Sequence, residues 1–193
     1  YSVRDADAER YVRVTYFLCP SAAVFPTLPG EYGVQWFVPI DDTHSWRFVF
    51  VLSTDKPLDR KSLRESDSRE ITGDYHLMRN PGNRFLQDRD EMRTRTFTGL
   101  GPNFAVHDNW ATVGEGAIQD RTTEHLGYTD KVITHARRFL LDGIREVQEG
   151  GEAPGVVRDD TANAFHHLRV VDQVVDASVD WRNLWKEASH TAP

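Results

Sequence analysis

The sequence predicts an α+β fold, with a curved antiparallel β-sheet packed against a long C-terminal helix. Three observations carry this expectation. Runs in the first third alternate apolar and polar residues as strands do. A long stretch in the last third repeats apolar residues at helical spacing. Strands come first and the helix last, without the βαβ alternation that marks a parallel sheet.

In Arg10–Leu18, Val12, Val14, Tyr16 and Leu18 fall on one face of an extended chain. Tyr32, Val34, Trp36 and Val38 repeat the pattern in Glu31–Val38, and Trp46, Phe48, Phe50 and Leu52 repeat it in Trp46–Leu52. Between the last two lies Pro39-Ile40-Asp41-Asp42-Thr43-His44-Ser45, rich in turn formers, so these runs form a hairpin. The density of aromatics suits a sheet that curves around something bulky, or one packed on a helix. Residues 59–74 read as a short helix and an exposed loop, and Asn80-Pro81-Gly82-Asn83 reads as a turn. Val132, Ile133, Ala136, Phe139, Leu140, Ile144 and Val147 then recur on one helical face. Thr129 or Asp130 can cap the start of this helix, and Gly150-Gly151 can end it. Trp181–Ala188 reads as a second helix, and His166-His167 with Leu168, Val170 and Val171 suits either strand or helix.

At 193 residues the chain is long enough for one domain with a core, and residues 1–193 are read as a single domain. It opens Tyr1-Ser2-Val3-Arg4, which reads as the middle of a longer sequence. The net charge is −7 and no Lys/Arg block occurs, which argues against nucleic acid as a partner. No apolar run approaches the roughly 18 residues of a membrane span. The single cysteine, Cys19, rules out a disulfide within the chain and makes a cytoplasmic setting the default. It also rules out a Cys-ligated iron–sulfur cluster held by this segment alone. Cys19 ends an apolar strand, where a small buried core residue is expected.

None of the eight histidines forms an i, i+4 pair or a His-x-His, so no complete local metal motif exists. There is likewise no nucleophile elbow, phosphate-cradling glycine loop or dinucleotide fingerprint. Two stretches mix charged and bulky residues. One is Asn83-Arg84-Phe85-Leu86-Gln87-Asp88-Arg89, followed by Phe97-Thr98-Gly99-Leu100. The other is His107-Asp108-Asn109-Trp110-Ala111, followed by Gly116-Ala117-Ile118-Gln119-Asp120-Arg121-Thr122-Thr123-Glu124-His125-Leu126-Gly127 and Thr129-Asp130. Ordinary structural roles are available for these residues. Asp88-Arg89 and Asp120-Arg121 can pair as ions that fix loops, and Asp108 can cap a helix that starts at Asn109.

Taken together, these stretches resemble the catalytic domain of the oxygenase (alpha) subunit of Rieske-type aromatic ring-hydroxylating oxygenases, in the phthalate dioxygenase-like branch. That branch is similar in reading Asn-x-Tyr-x-x-Asp-Arg, Phe-Thr-Gly-Ile, Gln-Asp-x-Ala, and Gly-Pro-Ile-x-Asp-Arg-Thr-x-Glu-His-Leu-Gly, then Ser-Asp before a long helix. Here Phe85 stands for the Tyr, Leu100 for the Ile, His107 for the Gln, Ala117 for the Pro and Thr129 for the Ser. One extra residue separates Asp108 from Ala111. Val38–Trp46 resembles the hairpin motif of the same family, and the likeness runs from about Arg10 to Pro154.

The resemblance implies a helix-grip, START-like fold and a mononuclear Fe(II) held by two His and one carboxylate. It makes Asp108 the metal ligand. It puts the His pair and the 2Fe–2S Rieske domain upstream of this segment, so the fragment alone is expected to be inactive. For the intact protein it implies hydroxylation or O-demethylation of an aromatic compound in aromatic catabolism. O2, NAD(P)H electrons through a reductase or ferredoxin, and a homotrimer go with that chemistry. The pocket would lie between the sheet and the Asp108 helix. Trp36, Phe48 and Trp110 are candidate walls, although plain core is their more ordinary role. An inward Arg13 or Arg47 could meet a substrate carboxylate. His107 and His125 are not taken as ligands, and a structural hydrogen bond is expected of His125. The alternatives are a metal-free module of the same fold that binds a small apolar ligand, and a degenerate subunit that scaffolds an oligomer.

Overall fold

The computed structural model describes residues 2–28, 30–53, 56–68, 70–163 and 170–184. It is an α+β structure with two open antiparallel sheets. The chain divides into two compact units. The first comprises Tyr1–Ile40, Ser45–Pro57 and His125–Pro193; the second comprises Asp41–His44 and Leu58–Glu124.

In the first unit, strands β1 (Ser2–Ala6), β2 (Glu9–Val14) and β7 (Val171–Asp176) form one sheet in the order β1-β2-β7. Strands β3 (Tyr16–Leu18), β4 (Ala22–Pro26), β5 (Glu31–Pro39) and β6 (Ser45–Ser53) form the other, in sequence order. The single alternating run expected over Arg10–Leu18 is therefore broken at Thr15, and its two halves serve different sheets. The Arg13 guanidinium of β2 ties the two sheets by donating to the Pro26 carbonyl of β4 at 2.7 Å.

Alternation places Val12 and Val14 on one face of β2, where they meet Val171 in a small core. Val12 is fully buried, and Tyr16, Val175, Trp181 and Leu184 pack around the cluster. Tyr16 brings a phenol oxygen into this apolar site without a hydrogen-bond partner, and the loss of hydration raises its pKa.

The β5–β6 register sets Trp36 opposite Phe48, Val34 opposite Phe50, and Tyr32 opposite Leu52. Facing pairs share one side of the sheet, so that side is apolar throughout. The other side carries Phe25, Phe37, Val49 and Val51 and is also largely apolar. Gly33 sits opposite Phe25 on that side, where an added Cβ would come within 2.6 Å of the Phe25 ring. The missing side chain leaves room for the ring to lie on the strand.

The long helix α4 (Lys131–Gln148) forms where the periodicity predicts. It ends with Gly150 at φ 88°, a left-handed conformation that glycine adopts without Cβ strain. Its start differs in detail: the Asp130 carboxylate accepts from the Gly127 N–H at 2.7 Å and does not cap α4. Phe139, Leu140, Ile144 and Val147 of α4 border an apolar cleft of about 280 Å³ with Cys19, Pro20 and Pro154. Gly143 allows this approach, since a Cβ there would lie 2.9 Å from the Pro154 ring.

Cys19 corrects an expectation. It is exposed at the tight β3–β4 turn, because β3 stops at Leu18 before the thiol can enter the core. Of the second predicted helix, Trp181–Asn183 forms a 3₁₀ turn capped by Asp180, while 185–188 lie outside the described residues. His166, His167 and Leu168 also lie outside them, and Val171 begins β7. No helix among the described residues is long and apolar enough to cross a membrane.

Val12→Ala should lower unfolding stability by about 2 kcal/mol, the cost of deleting buried methyls from a site that cannot fully collapse. Val174→Ala, on an exposed position of β7, should stay within about 0.5 kcal/mol of the parent in the same urea titration.

Candidate functional site

Both motif stretches up to Glu124 fall in the second unit, where they are tied together by short polar contacts. Helix α1 (Arg60–Ser68) opens the unit, with Asp59 accepting from the Ser62 N–H at 3.1 Å. A 3₁₀ segment, Pro81–Leu86, follows and is capped by Asn80. Within it Arg84, Phe85 and Leu86 take φ of 53°, 56° and 49°, three consecutive left-handed residues. Such backbone costs roughly 1–2 kcal/mol per non-glycine residue, so other bonds must hold it in place. Here Arg79 donates to the Phe85 and Leu86 carbonyls at 3.2 and 3.3 Å and is itself held by Glu70 at 3.3 Å.

Helix α2 (Arg89–Thr94) is capped by Asp88, whose carboxylate accepts from the Asp90 and Glu91 N–H groups at 2.8 and 3.0 Å. These bonds to the charged form lower the Asp88 pKa. Asp120 likewise accepts from the Thr122 hydroxyl and N–H and caps the 3₁₀ turn Arg121–Thr123, which lowers its pKa as well. Both carboxylates therefore act as caps. The expected Asp88-Arg89 and Asp120-Arg121 ion pairs do not form, because a local backbone donor satisfies each acid first.

The Phe-Thr-Gly-Leu motif closes onto α2. The Asp88 N–H donates to the Gly99 carbonyl at 2.9 Å, and Gln87 donates to the Thr98 carbonyl at 2.8 Å. Glu91 accepts from the Gly101 N–H and the Thr96 hydroxyl at 3.0 and 2.8 Å. Gly99 has φ 68°, and an added Cβ would strike the Asp88 carbonyl and lie 2.7 Å from Met92 Cγ. Leu100 and Val106, 1% and 3% exposed, are the buried apolar side chains of this unit among the described residues.

Helix α3 (Phe104–Gly114) carries the candidate ligand. Its N-cap is Asn103, which accepts from the Ala105 N–H at 3.0 Å. Asp108 lies inside the helix, so the capping role open to it on sequence grounds is excluded. Its carboxylate is half-buried, and among the described residues no hydrogen bond or ion pair reaches it. His107 beside it uses both ring nitrogens: Nε2–H donates to the Gly101 carbonyl at 2.8 Å, and Nδ1 accepts from the Thr98 hydroxyl at 3.2 Å. It thus clamps α3 to the motif loop and has no nitrogen left for a metal.

The remaining candidates are dispersed. Among the described residues no three His, Cys, Asp or Glu side chains are grouped to hold a metal ion. His125 is exposed and makes no hydrogen bond among the described residues. Trp36, Phe48 and Trp110 are 48%, 46% and 38% exposed. Arg13 is committed to Pro26, and Arg47 shares the side of the sheet that carries Phe37. In the hairpin turn, Asp41 accepts from the Thr43 and His44 N–H groups, both at 2.8 Å, and pairs with His44 Nδ1 at 2.9 Å. The Thr43 N–H and then the His44 ring are the main causes of its low pKa, about 2.

The residues that sequence reasoning missed are Arg79, Glu70 and Glu91, which anchor the motif loops through side-chain bonds. Only the Asn80-Pro81-Gly82-Asn83 turn hinted at unusual backbone nearby.

Comparison with known proteins bears on this site. A family model described as LigXa C-terminal domain like matches residues 1–192. The chain is 31% identical over 187 residues to the phthalate 4,5-dioxygenase oxygenase subunit of Pseudomonas putida, covering 94% of this chain and 42% of that protein. It is 27% identical over 198 residues to the 3-chlorobenzoate-3,4-dioxygenase oxygenase subunit of Comamonas testosteroni, covering 92% and 45%. A shorter match, 38% over 53 residues, links 28% of the chain to 12% of the 5,5'-dehydrodivanillate O-demethylase oxygenase subunit of a Sphingobium species. The chain thus spans less than half the length of the first two relatives.

Gly99→Ala should destabilise the second unit by roughly 2–3 kcal/mol, since it combines a left-handed φ with a backbone clash. Chemical denaturation followed by Trp110 fluorescence would register the loss. The Asp41 carboxyl should titrate near pH 2 in a carbon-detected NMR series. His44→Ala should move that midpoint part of the way toward 3.8. Because the folded pKa is depressed, the turn's gain is complete above about pH 4 and is lost as pH falls through about 2.

Proposed function

Since the chain belongs to the LigXa C-terminal domain-like family, the C-terminal domain of Rieske-type aromatic oxygenase subunits, we propose that it is the catalytic part of an aromatic oxygenase. The intact enzyme would hydroxylate or O-demethylate an aromatic compound with O2 and electrons from a reductase. The observation that carries this reading is the Asp108 carboxylate, half-buried inside α3 and free of hydrogen bonds among the described residues.

A hard carboxylate oxygen donor without a partner among the described residues fits Fe(II) as the single carboxylate of a two-His, one-carboxylate site. The other ligands lie outside the described residues. When bound, the iron supplies O2 activation beside the substrate. The chain's own contribution is positioning. Asn103 starts α3 at a fixed residue, and His107 clamps it to the Thr98–Gly101 loop. Asp108 is thereby held at one height and rotation on a helix rather than on a loop. Within the first unit, Trp36 and Phe48 offer aromatic surface suited to an aromatic substrate.

The same reading brings further components. They are a reductase drawing on NAD(P)H, a 2Fe–2S Rieske cluster outside this chain, a homotrimeric assembly, a cytoplasmic setting and residues 1–193 acting as one catalytic domain. A helix-grip arrangement belongs to it as well, and the apolar cleft between α4 and the β3–β4 turn supports that. The named relatives are all oxygenase subunits, which gives the metal-free alternative no favour.

In the intact polypeptide, purified anaerobically, Asp108→Ala should reduce iron from about three to about two atoms per chain. The visible spectrum of the cluster and the helical circular dichroism should stay unchanged. Undiminished iron in the variant would remove Asp108 from the site.

A further inference from the structure

We infer that β6 is an interior strand of the complete sheet, and that its open edge is paired by a strand from the part of the polypeptide preceding this domain. The inference rests on the reading of the chain as the C-terminal part of a longer oxygenase subunit.

Among the described residues β6 pairs only with β5, so it is an edge strand there. Its sequence is not that of an edge. Edge strands are kept short, bulged, charged or interrupted by proline, because a long apolar edge recruits other strands. β6 runs nine residues without a proline and with one charge, Arg47. Phe48-Val49-Phe50-Val51-Leu52 is apolar at every position, so both faces are apolar, the pattern of a strand covered on both sides. Yet Phe48, Val49, Phe50 and Leu52 are 42–49% exposed. Among the described residues, then, a strand with both faces apolar, both open and one edge unpaired lacks a neighbour.

Three sources could supply one. The second unit has no strand among its described residues, only the single bridge between Ile71 and Leu77. A second copy joined through β6 would satisfy the edge hydrogen bonds, but would also merge two sheets whose apolar faces stay open. A longer segment of the same polypeptide can add a strand and cover the faces as well. In the relatives more than half of the polypeptide lies outside the matched part. The matched family is a C-terminal domain, which puts that remainder ahead of it.

The test uses the intact polypeptide. In an edge strand, alternate N–H groups face away from the neighbour and exchange quickly; in an interior strand consecutive N–H groups are all protected. Residue-resolved hydrogen exchange should show every amide of Val49–Leu52 slowed on the order of 100-fold or more relative to an open edge. That protection should persist on dilution. Alternating fast and slow amides would overturn the inference, and so would protection lost on dilution, which marks a second copy. A photo-crosslinking residue at Val49 should then join to a peptide preceding Tyr1. Crosslinks to this chain's own residues would also overturn it. The exchange measurement needs no variant and no iron, so loss of iron binding would refute the oxygenase reading while leaving this result standing.

Discussion

The clasp between Asp88 and Gly99 is the contact on which the second unit depends. One backbone hydrogen bond joins the N-cap of α2 to the glycine of the Phe-Thr-Gly-Leu motif, and the glycine must be left-handed and bare for the chains to meet. The rest is arranged around that closeness. Thr98 on one side of Gly99 holds His107, and Leu100 on the other side is buried. Gly101 binds both Glu91 and the His107 ring. α3 is thus positioned by a loop that is itself positioned by α2. A chain of short-range polar bonds does here what a large hydrophobic core does elsewhere, which is consistent with the few fully buried side chains in the unit.

The first unit is built differently. Its polar groups are mostly satisfied within strands, and its surplus is apolar. β5 and β6 carry bulky residues on both faces, and α4 presents Phe139, Ile144 and Val147 to a cleft that it does not fill. Exposed apolar surface on this scale marks a face that meets something else. A two-faced apolar sheet and a half-covered helix are what remains visible when a domain is seen without all of its layers. The oxygenase reading and the inferred extra strand account for this surface in the same way.

Periodicity made the β5–β6 hairpin and α4 legible, because each repeats over nine or more residues and its register follows from alternation alone. The break at Thr15 was not legible. Val12, Val14, Tyr16 and Leu18 alternate without a flaw, and only the pairing partners, Val171 for Val14 and Val24 for Tyr16, send them to different sheets. The exposure of Cys19 follows from where the β3–β4 turn falls, and no residue type announces that. Within the motifs, sequence identified the residues but not their work. Asp88, Asp120 and Asp108 look alike in sequence, and their roles diverge only when nearby N–H groups are counted.

That divergence is the strongest physical argument about Asp108. Most of the acids that mark turns here accept local donors: Asp120, Asp159 and Asp176 take a Thr or Ser hydroxyl and then a backbone N–H, and Asp41 and Asp88 take backbone N–H groups first, which lowers the pKa of each. Asp108 takes none and sits inside a helix, where aspartate is among the poorer formers by roughly 0.6 kcal/mol relative to alanine. It is also half-buried, and among the described residues its carboxylate accepts no hydrogen bond. His107, which could have answered it, is turned to Gly101 and Thr98. Among the described residues nothing compensates for that placement. In the proposed reading a cation shared with ligands beyond these residues would supply the compensation, where a solvent-facing cap or a loop ion pair would not.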